Sequence, residues 1–410
     1  MKILLINKFL FPKGGAETYV IRLGEELVRQ GHEVQYFGMD HPNRTLENHA
    51  QSYTSEVDFH NSSKWERLTY PFRILYSAEA RKKIRLVLDD FQPDVCHLNN
   101  FNYQLTPSMI LEIVKWRKET GRKCKIVYTA HDYQLVCPNH MCNVPQTHQN
   151  CEKCLESRHY FNCIRQKCIH GSAMRSALGT AEATLWNAWG VYKHIDRIIC
   201  CSRFLKSKLD TNPLLREKNV AIHNFVEPVV PQTFEKKDYV LYFGRFSWEK
   251  GIHTLAEACR NLPDIPFVVA GTGDMEELFR DLPNVRCAGF QTGDALRRLI
   301  GEARFSVCPS SCYENCPFSV IESQMYGTPV LGARIGGIPE LIDENQTGRF
   351  FESGNAEDLA QQIRRMWDDR EALEGYSQNS LRKTFLTAAE YVDQLMEIYT
   401  QNDENDRSHA

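Results

Sequence analysis

Short apolar runs alternate with longer stretches of helical periodicity along almost the whole chain, and this alternation constrains the fold more than any other feature. Alternating strands and helices predict parallel sheets that are covered by helices on both faces. The predicted strands of the N-terminal half are residues 2–7, 33–37, 95–98, 125–129 and 197–201. Those of the C-terminal half are residues 239–243, 267–270, 285–288, 305–308 and 329–332. Both halves open with a strand, a long loop, a glycine and a helix, so the sequence predicts two doubly wound, Rossmann-like α/β domains.

A chain of 410 residues is long enough for two domains with separate hydrophobic cores. The predicted linker is residues 211–237, which contain Pro213, Pro228 and Pro231. We therefore predict an N-terminal domain at residues 1–212, a C-terminal domain at 213–387, and a final helix with a polar tail at 388–410. Two such domains facing each other leave a cleft at the carboxyl ends of their strands, where ligands of α/β proteins bind.

Composition excludes several classes of protein. The net charge of −3 argues against a dedicated nucleic-acid binder. No apolar run reaches the ~20 residues that a transmembrane helix needs, and residues 1–7 are too short for the apolar part of a signal peptide. We therefore expect a cytoplasmic protein, in which most of the 15 cysteines are thiols or metal ligands rather than disulfides.

Residues 313–322 carry two carboxylates, one on each side of a predicted helix start. Pro317 suits the first turn of a helix that runs over residues 318–326. Glu314 then lies in the preceding loop and Glu322 lies along the helix, with the free amides of a helix N-terminus between them. This order suits a nucleotide-sugar, which presents sugar hydroxyls, a diphosphate and ribose hydroxyls in turn. The alternative interpretation is two solvated glutamates beside an ordinary helix.

Further motifs accompany this segment. Residues 239–251 form a predicted strand that opens into a loop with Arg245 and Lys250, and residues 327–330 and 336–340 read Gly-Thr-Pro-Val and Gly-Gly-Ile-Pro-Glu. This order of motifs resembles the C-terminal half of the GT4 glycosyltransferases, which are retaining enzymes with the GT-B fold. The resemblance covers nearly the whole chain except a cysteine-rich insertion. It also implies that the last helix folds back on the N-terminal domain, as it does in GT-B proteins.

The resemblance implies a role for each matching residue. Arg245 and Lys250 would grip the diphosphate of a nucleotide-sugar donor, while Glu314 would meet the sugar and Glu322 the ribose. His131, which follows a predicted strand, matches the family position beside the reactive carbon of the donor sugar. The other positions implied in donor binding are Gly14, Gly15, Phe290, Asn315, Cys316, Phe318 and Ser319. Taken alone, the glycine loop is also consistent with an ordinary turn, the histidine with a structural role, and the two cations with solvated side chains.

Catalysis is expected to need no cofactor. The sequence holds no Asp-x-Asp motif that would bind a catalytic divalent cation. Arg245 and Lys250 would then stabilise the leaving diphosphate in place of the metal.

Six cysteines crowd one stretch, at positions 137, 142, 151, 154, 163 and 168. Residues 151–154 have the Cys-x-x-Cys spacing of a tetrahedral thiolate site. A similar insertion occurs in a bacterial subset of the GT4 family, and the resemblance assigns a structural zinc to Cys137, Cys151, Cys154 and Cys168, leaving out Cys142 and Cys163. Unligated thiols and an iron–sulfur cluster are the alternatives. The insertion, residues 137–170, begins six residues after His131 and is expected to border the acceptor side of the cleft.

Residues 62–85 combine seven lysines and arginines with Trp65, Tyr70, Phe72 and Tyr76. Such a stretch can lie on an anionic membrane surface. It is also consistent with a helix that packs through its aromatic residues. The membrane interpretation is favoured because bacterial GT4 enzymes often act on lipid-linked acceptors, so we expect contact with the cytoplasmic face of the inner membrane.

Together these features predict a retaining glycosyltransferase. It would move a sugar from a nucleoside-diphosphate sugar to a glycan or lipid-linked acceptor in bacterial surface polysaccharide biosynthesis. A nucleotide-sugar 2-epimerase and a non-catalytic scaffold share the GT-B fold and are the alternatives.

Overall fold

A computed structural model describes residues 1–56, 71–157, 159–227 and 234–401. The chain divides into two units. The first unit holds Met1–Gln146, Cys151–Phe225 and the segment from Leu386 onward, and the second holds Thr147–Asn150 and Val226–Phe385. Some features of the sequence lie outside the described residues. They are residues 62–70 of the basic stretch, the linker prolines Pro228 and Pro231, and the polar tail beyond residue 401.

The strands confirm the α/β pattern. In chain order they are β1 (Lys2–Ile6), β2 (Glu33–Phe37), β3 (Val95–Leu98), β4 (Lys125–Ala130), β5 (Asn143–Val144), β6 (Gln149–Asn150), β7 (Arg197–Cys200), β8 (Asn219–Ala221), β9 (Lys237–Phe243), β10 (Phe267–Ala270), β11 (Val285–Gly289), β12 (Ala303–Cys308), β13 (Val330–Ala333) and β14 (Gly348–Phe351). All ten predicted strands occur, with bounds that differ by no more than two residues. Strands β5, β6, β8 and β14 were not predicted.

The α-helices fill the stretches between the strands. They include, in chain order, α1 (Gly15–Arg29), α2 (Ala78–Phe91), α3 (Ser108–Thr120), α4 (Lys153–Ser157), α5 (Phe161–Arg165), α6 (Ala173–Ala188), α7 (Arg203–Leu209), α8 (Ile252–Arg260), α9 (Gly293–Glu302), α10 (Phe318–Met325), α11 (Ala356–Asp368), α12 (Arg370–Arg382) and α13 (Ala388–Thr400). None of the helices in the described ranges is both long and apolar enough to cross a lipid bilayer.

Each unit contains a six-stranded parallel sheet. The order in the first unit is β2-β1-β3-β4-β7-β8, and the order in the second is β11-β10-β9-β12-β13-β14. The strand order reverses between β1 and β3 in the first sheet and between β9 and β12 in the second. Doubly wound sheets bind ligands outside the carboxyl ends of the strands at such a switch point. The loops that follow these four strands are therefore the places to look for a site.

The core of the first unit lies between its sheet and two helices from opposite ends of the sequence. The apolar face of α1 is buried, with Tyr19, Val20, Leu23 and Leu27 at most 3% exposed. Tyr391, Leu395 and other residues of α13 complete the same cluster. Helix α13 starts with a capping box formed by Thr387 and Glu390, which satisfies backbone donors at its first turn. The C-terminal helix is thus an integral part of the first unit.

The predicted domain boundary between residues 212 and 213 lies too early in the chain, because the first unit continues to Phe225. β8 lies inside the predicted linker, yet it pairs with β7 as the sixth strand of the first sheet. Its backbone hydrogen bonds therefore hold the chain in the first unit as far as Phe225. The proline content of the linker gave no sign of this three-residue strand, because so short a run carries little periodicity.

Candidate active site

Two loops at the switch point of the second sheet pack directly on each other. The loop after β9 ends in a 3₁₀ turn, Trp248–Lys250, and Gly251 follows with a φ of +71°. A Cβ on Gly251 would lie 1.8 Å from the carbonyl oxygen of Pro309 in the loop after β12. Only glycine permits this approach and this backbone conformation. The amide of Ser311 also donates to the carbonyl oxygen of Glu249 at 3.0 Å, so the two loops form one packed structure.

Lys250 and Glu314 meet across these loops. The Lys250 Nζ atom lies 2.6 Å from Glu314 Oε1, and the Ser310 hydroxyl donates to the same oxygen at 2.8 Å. Burial alone would lower the pKa of Lys250, but the charge and the hydrogen bond of Glu314 outweigh it and raise that pKa above its ordinary value. The switch point thus holds a permanently charged ammonium group whose position is set by a carboxylate.

The Gly-Gly-Ile-Pro-Glu motif fixes the backbone of Glu314. Gly337 donates its amide to the Glu314 carbonyl oxygen at 2.6 Å. Gly336 has a φ of +61°, and a Cβ there would stand 2.3 Å from the same oxygen. The glycines therefore allow two backbone segments to touch where a side chain would separate them.

Pro317 precedes α10 instead of lying in its first turn, because its ψ of 119° is extended and the helix begins at Phe318. The amides of Phe318 and Ser319 lie in that first turn, where a helix leaves its donors without intrahelical partners. Asn315 and Cys316 lie in the loop before it. Glu322 lies within α10, so the two carboxylates flank the helix start as predicted.

Arg245 and Phe290 are both exposed. Arg245 follows β9, and its carbonyl oxygen accepts a hydrogen bond from the Tyr242 hydroxyl at 2.8 Å. Phe290 follows β11 and is 73% exposed. Its contact with a nucleobase stays a prediction.

The first unit holds His131, Gly14 and Gly15. His131 follows β4, and its Nε2 atom lies 3.0 Å from Asn99 Oδ1. An amide oxygen only accepts, so Nε2 carries the proton. The ring packs edge-on against Tyr19 at 4.9 Å, and desolvation lowers the pKa of His131 to about 4. Gly14 and Gly15 lie exposed at the N-terminus of α1, where Gly14 has extended backbone angles that other residues also adopt.

A buried polar network supports the strand that precedes His131. The Thr129 hydroxyl lies 3.1 Å from the Tyr19 hydroxyl and 2.7 Å from His97 Nε2, and Tyr19 in turn contacts the Tyr391 hydroxyl at 2.8 Å. Sequence reasoning missed Asn99, Tyr19 and Ser310. The available signal for Asn99 and Ser310 was a polar residue within two positions of the end of a buried strand, at a point where the sheet order reverses.

The zinc site that the sequence assigns to the cysteine-rich insertion stays a prediction. Within the ranges that the structure covers, no three histidine, cysteine or acidic side chains are arranged to hold a metal ion. Interaction with Cys142 lowers the pKa of the Cys137 thiol, and interaction with Cys168 lowers the pKa of the Cys163 thiol. These pairs use the two cysteines that the resemblance left out. No catalytic step is assigned to this group of cysteines.

Three arginines in the described part of the basic stretch form ion pairs. Arg73 lies 2.9 Å from Glu79, Arg81 contacts Glu112, and Arg85 bonds to Asp89 at 2.9 Å. Phe72 is 75% exposed. These ion pairs favour the interpretation of solvated or paired cations for the three arginines, and membrane contact stays a prediction.

Comparison with known proteins agrees with this architecture. Residues 13–229 match the family described as Glycosyltransferase Family 4, and residues 226–383 match Glycosyl transferases group 1. The chain is 23% identical over 363 residues to an "Uncharacterized 42.6 kDa protein in cps region" of Klebsiella pneumoniae, which covers 83% of this chain and 87% of that protein. It is 30% identical over 137 residues to the "Amylovoran biosynthesis glycosyltransferase AmsK" of Erwinia amylovora, which covers 30% of this chain and 34% of that protein.

Solved structures are similar over nearly the whole chain. A glycosyltransferase from Rickettsia africae superposes with a TM-score of 0.65 at 19% identity, covering 97% of both chains. Anabaena Alr3699/HepE in complex with UDP superposes with a TM-score of 0.64 at 17% identity, covering 97% of this chain and 99% of that one. At these identities the likeness concerns the fold alone. The match to residues 13–229 spans more than half of the sequence and, with the two parallel sheets, shows that the chain belongs to Glycosyltransferase Family 4 and has the GT-B fold.

Proposed function

We propose that the protein is a retaining glycosyltransferase that moves a sugar from a nucleoside-diphosphate sugar to a hydroxyl of a glycan or lipid-linked acceptor. The observation that carries this proposal is the Lys250–Glu314 pair at the switch point of the second sheet, with Ser310 bonded to the same carboxylate. The Klebsiella relative is named for a cps region and the Erwinia relative for amylovoran biosynthesis. These names support a role in bacterial surface polysaccharide biosynthesis. The proposed place of this reaction is the cytoplasmic face of the membrane.

Stabilisation of the leaving diphosphate is the proposed task of Lys250 and Arg245. Negative charge builds on the diphosphate as the bond to the sugar breaks, and fixed positive charges stabilise that charge most where water is scarce. Lys250 is charged at any ordinary assay pH because its pKa lies above the usual value for lysine. The proposed reaction therefore needs no divalent cation. Glu314 holds the ammonium in position and offers its second oxygen to a sugar hydroxyl.

His131 is proposed to act on the donor sugar as a neutral imidazole. With a pKa of about 4 it carries no charge near pH 7, so it does not repel a positive anomeric carbon. Departure of the diphosphate and attack by the acceptor on the same face, through an oxocarbenium-like ion pair, would keep the anomeric configuration. No residue is assigned as a covalent nucleophile.

A panel of nucleotide-sugars tests the proposal and its alternatives. UDP-, GDP- and ADP-sugars are incubated with the wild-type protein and with Glu314→Gln, and nucleotide release and sugar identity are followed. Slow release of nucleoside diphosphate in the wild type alone supports a transferase, and NMR of a trapped product gives the anomeric configuration. An epimerised donor would identify a 2-epimerase instead. No binding and no turnover with any donor would leave the scaffold interpretation.

A further inference from the structure

We propose that His148 and Asn150, two residues of the cysteine-rich insertion, are positioning residues for the donor site. Thr147–Asn150 belongs to the second unit, whereas the insertion residues on both sides of it belong to the first. This four-residue segment contacts both loops that carry the Lys250–Glu314 pair. The inference rests on the proposed function, because it assigns these residues to donor binding.

His148 holds the loop that carries Lys250. Its imidazole stacks on the indole of Trp248, with ring centroids 4.3 Å apart and an interplanar angle of 30°. On another side the indole packs against His253, at 3.5 Å between centroids. Trp248 is the first residue of the 3₁₀ turn that ends at Lys250. Two imidazoles thus fix the indole that sets the start of this turn.

The backbone of His148 is consistent with a functional constraint. Its φ is +54°, in the left-handed region that side chains other than glycine rarely adopt and in which histidine is enriched. The side chain is exposed apart from its stack on Trp248. This less common backbone conformation places the ring of His148 on the donor loop, and such conformations occur often at functional sites.

Asn150 holds the second loop. Its side-chain amide donates to the carbonyl oxygen of Ser311 at 3.1 Å. The neighbouring residue, Ser310, donates its hydroxyl to Glu314, and the Ser311 amide itself bonds to the loop of Lys250 through Glu249. The segment thus contacts each loop within three residues of a member of the ion pair.

This arrangement changes the expected effect of disturbing the insertion. From the sequence, the insertion borders the acceptor side, so its disruption would affect acceptor use before nucleotide binding. Because residues 147–150 pack within the donor unit, substitutions there are expected to weaken nucleotide binding first. A displacement of the order of 1 Å in a charged group is enough to alter binding and rate substantially.

His148→Asn tests the inference, since asparagine also tolerates a left-handed backbone but has no ring to stack. The matched control is His159→Asn, another exposed histidine of the insertion. Backbone hydrogen exchange of peptides that cover residues 245–253 and 308–316 is measured without nucleotide. Affinities for UDP, GDP and ADP are measured by calorimetry. We expect faster exchange in both peptides and about tenfold weaker binding of the preferred diphosphate, with the melting temperature and the control unchanged.

Two further variants separate positioning from general damage. His148→Tyr restores a ring over Trp248 and should recover most of the affinity, and Trp248→Leu combined with His148→Asn should be no weaker than Trp248→Leu alone. If His148→Asn fails to fold, Asn150→Ala tests the second contact by the same measurements. Unchanged exchange, or faster exchange with unchanged affinity, would overturn the inference, as would an equal loss in His159→Asn. If the wild type binds none of the three diphosphates, the proposed function fails, while the exchange data still decide whether His148 fixes the loop.

Discussion

Replacing Lys250 with alanine is the most direct test of the proposed chemistry. The ammonium group lies 2.6 Å from Glu314, and the two side chains are 33% and 17% exposed. Loss of one electrostatic donor at a reacting centre costs about 10²–10³ in kcat. Since this pair is partly solvated, we expect the lower value, about 10²-fold, which corresponds to about 2.7 kcal/mol at 1.36 kcal/mol per tenfold.

The substitution also leaves Glu314 without its cation, so stability and catalysis must be measured separately. Exposed ion pairs contribute up to about 1 kcal/mol, and breaking a fully buried pair costs about 3–5 kcal/mol. A partly buried pair should fall between them, at about 2 kcal/mol in urea unfolding. The double variant Lys250→Ala/Glu314→Gln should regain part of this stability but none of the activity.

The sign of the pH dependence follows from the raised pKa of Lys250. A group whose pKa is higher in the folded state stabilises the protein below its unfolded pKa and loses this contribution as the pH rises through the folded pKa. The stability difference between wild type and Lys250→Ala should therefore be constant from about pH 6 to 9.

Turnover with the preferred nucleotide-sugar is the assay, and Lys237→Ala is the matched control. Lys237 belongs to the same unit and pairs with Glu302 at 2.5 Å, but its side chain is 60% exposed. We expect the control to keep wild-type kcat. A folded Lys250→Ala protein with near-wild-type kcat would refute the assignment of Lys250 to the leaving group.

The remaining predictions concern the ribose contact of Glu322, the charge of His131, the need for a catalytic divalent cation and the structural zinc. Glu322→Gln should weaken binding of free nucleoside diphosphate as well as of donor, because the proposed partner is the ribose; unchanged diphosphate affinity in calorimetry would contradict this. Because the pKa of His131 is about 4, this group should give no inflection in kcat/KM between about pH 5.5 and 7.5, and an inflection there that His131→Asn removes would count against a neutral imidazole. Brief EDTA treatment should leave turnover intact, whereas loss that Mg²⁺ or Mn²⁺ restores and Zn²⁺ does not would reject metal-independent catalysis. For the structural zinc, metal analysis should find about one Zn²⁺ per chain. Cys151→Ser should lose both the zinc and stability, whereas Cys142→Ser should keep the zinc. Wild-type protein that is free of zinc and equally stable would favour unligated thiols.

Much of the architecture was accessible because strands and helices leave local periodic patterns. Ten strands were predicted, since each is an apolar run bounded by turn residues. Strand β8 was missed because three residues inside a proline-containing linker carry too little pattern, and only its hydrogen bonds to β7 assign it to the first sheet. Helix α10 begins at Phe318 as predicted, but Pro317 precedes the helix, since proline suits both the residue before a helix and its first turn.

The sequence by itself determined the fold class and the residue types of the site. Lys250, Glu314 and the glycine motifs lie in loops that follow predicted strands, and the sequence of strand, loop and helix along the chain is enough to place them there. The tertiary structure alone decided which of these residues meet: that Lys250 bonds to Glu314, that Gly336 touches the Glu314 backbone, and that His148 stacks on Trp248. The physical reason is that such contacts form between loops distant in sequence, whose approach is set by strand order and packing rather than by any local pattern.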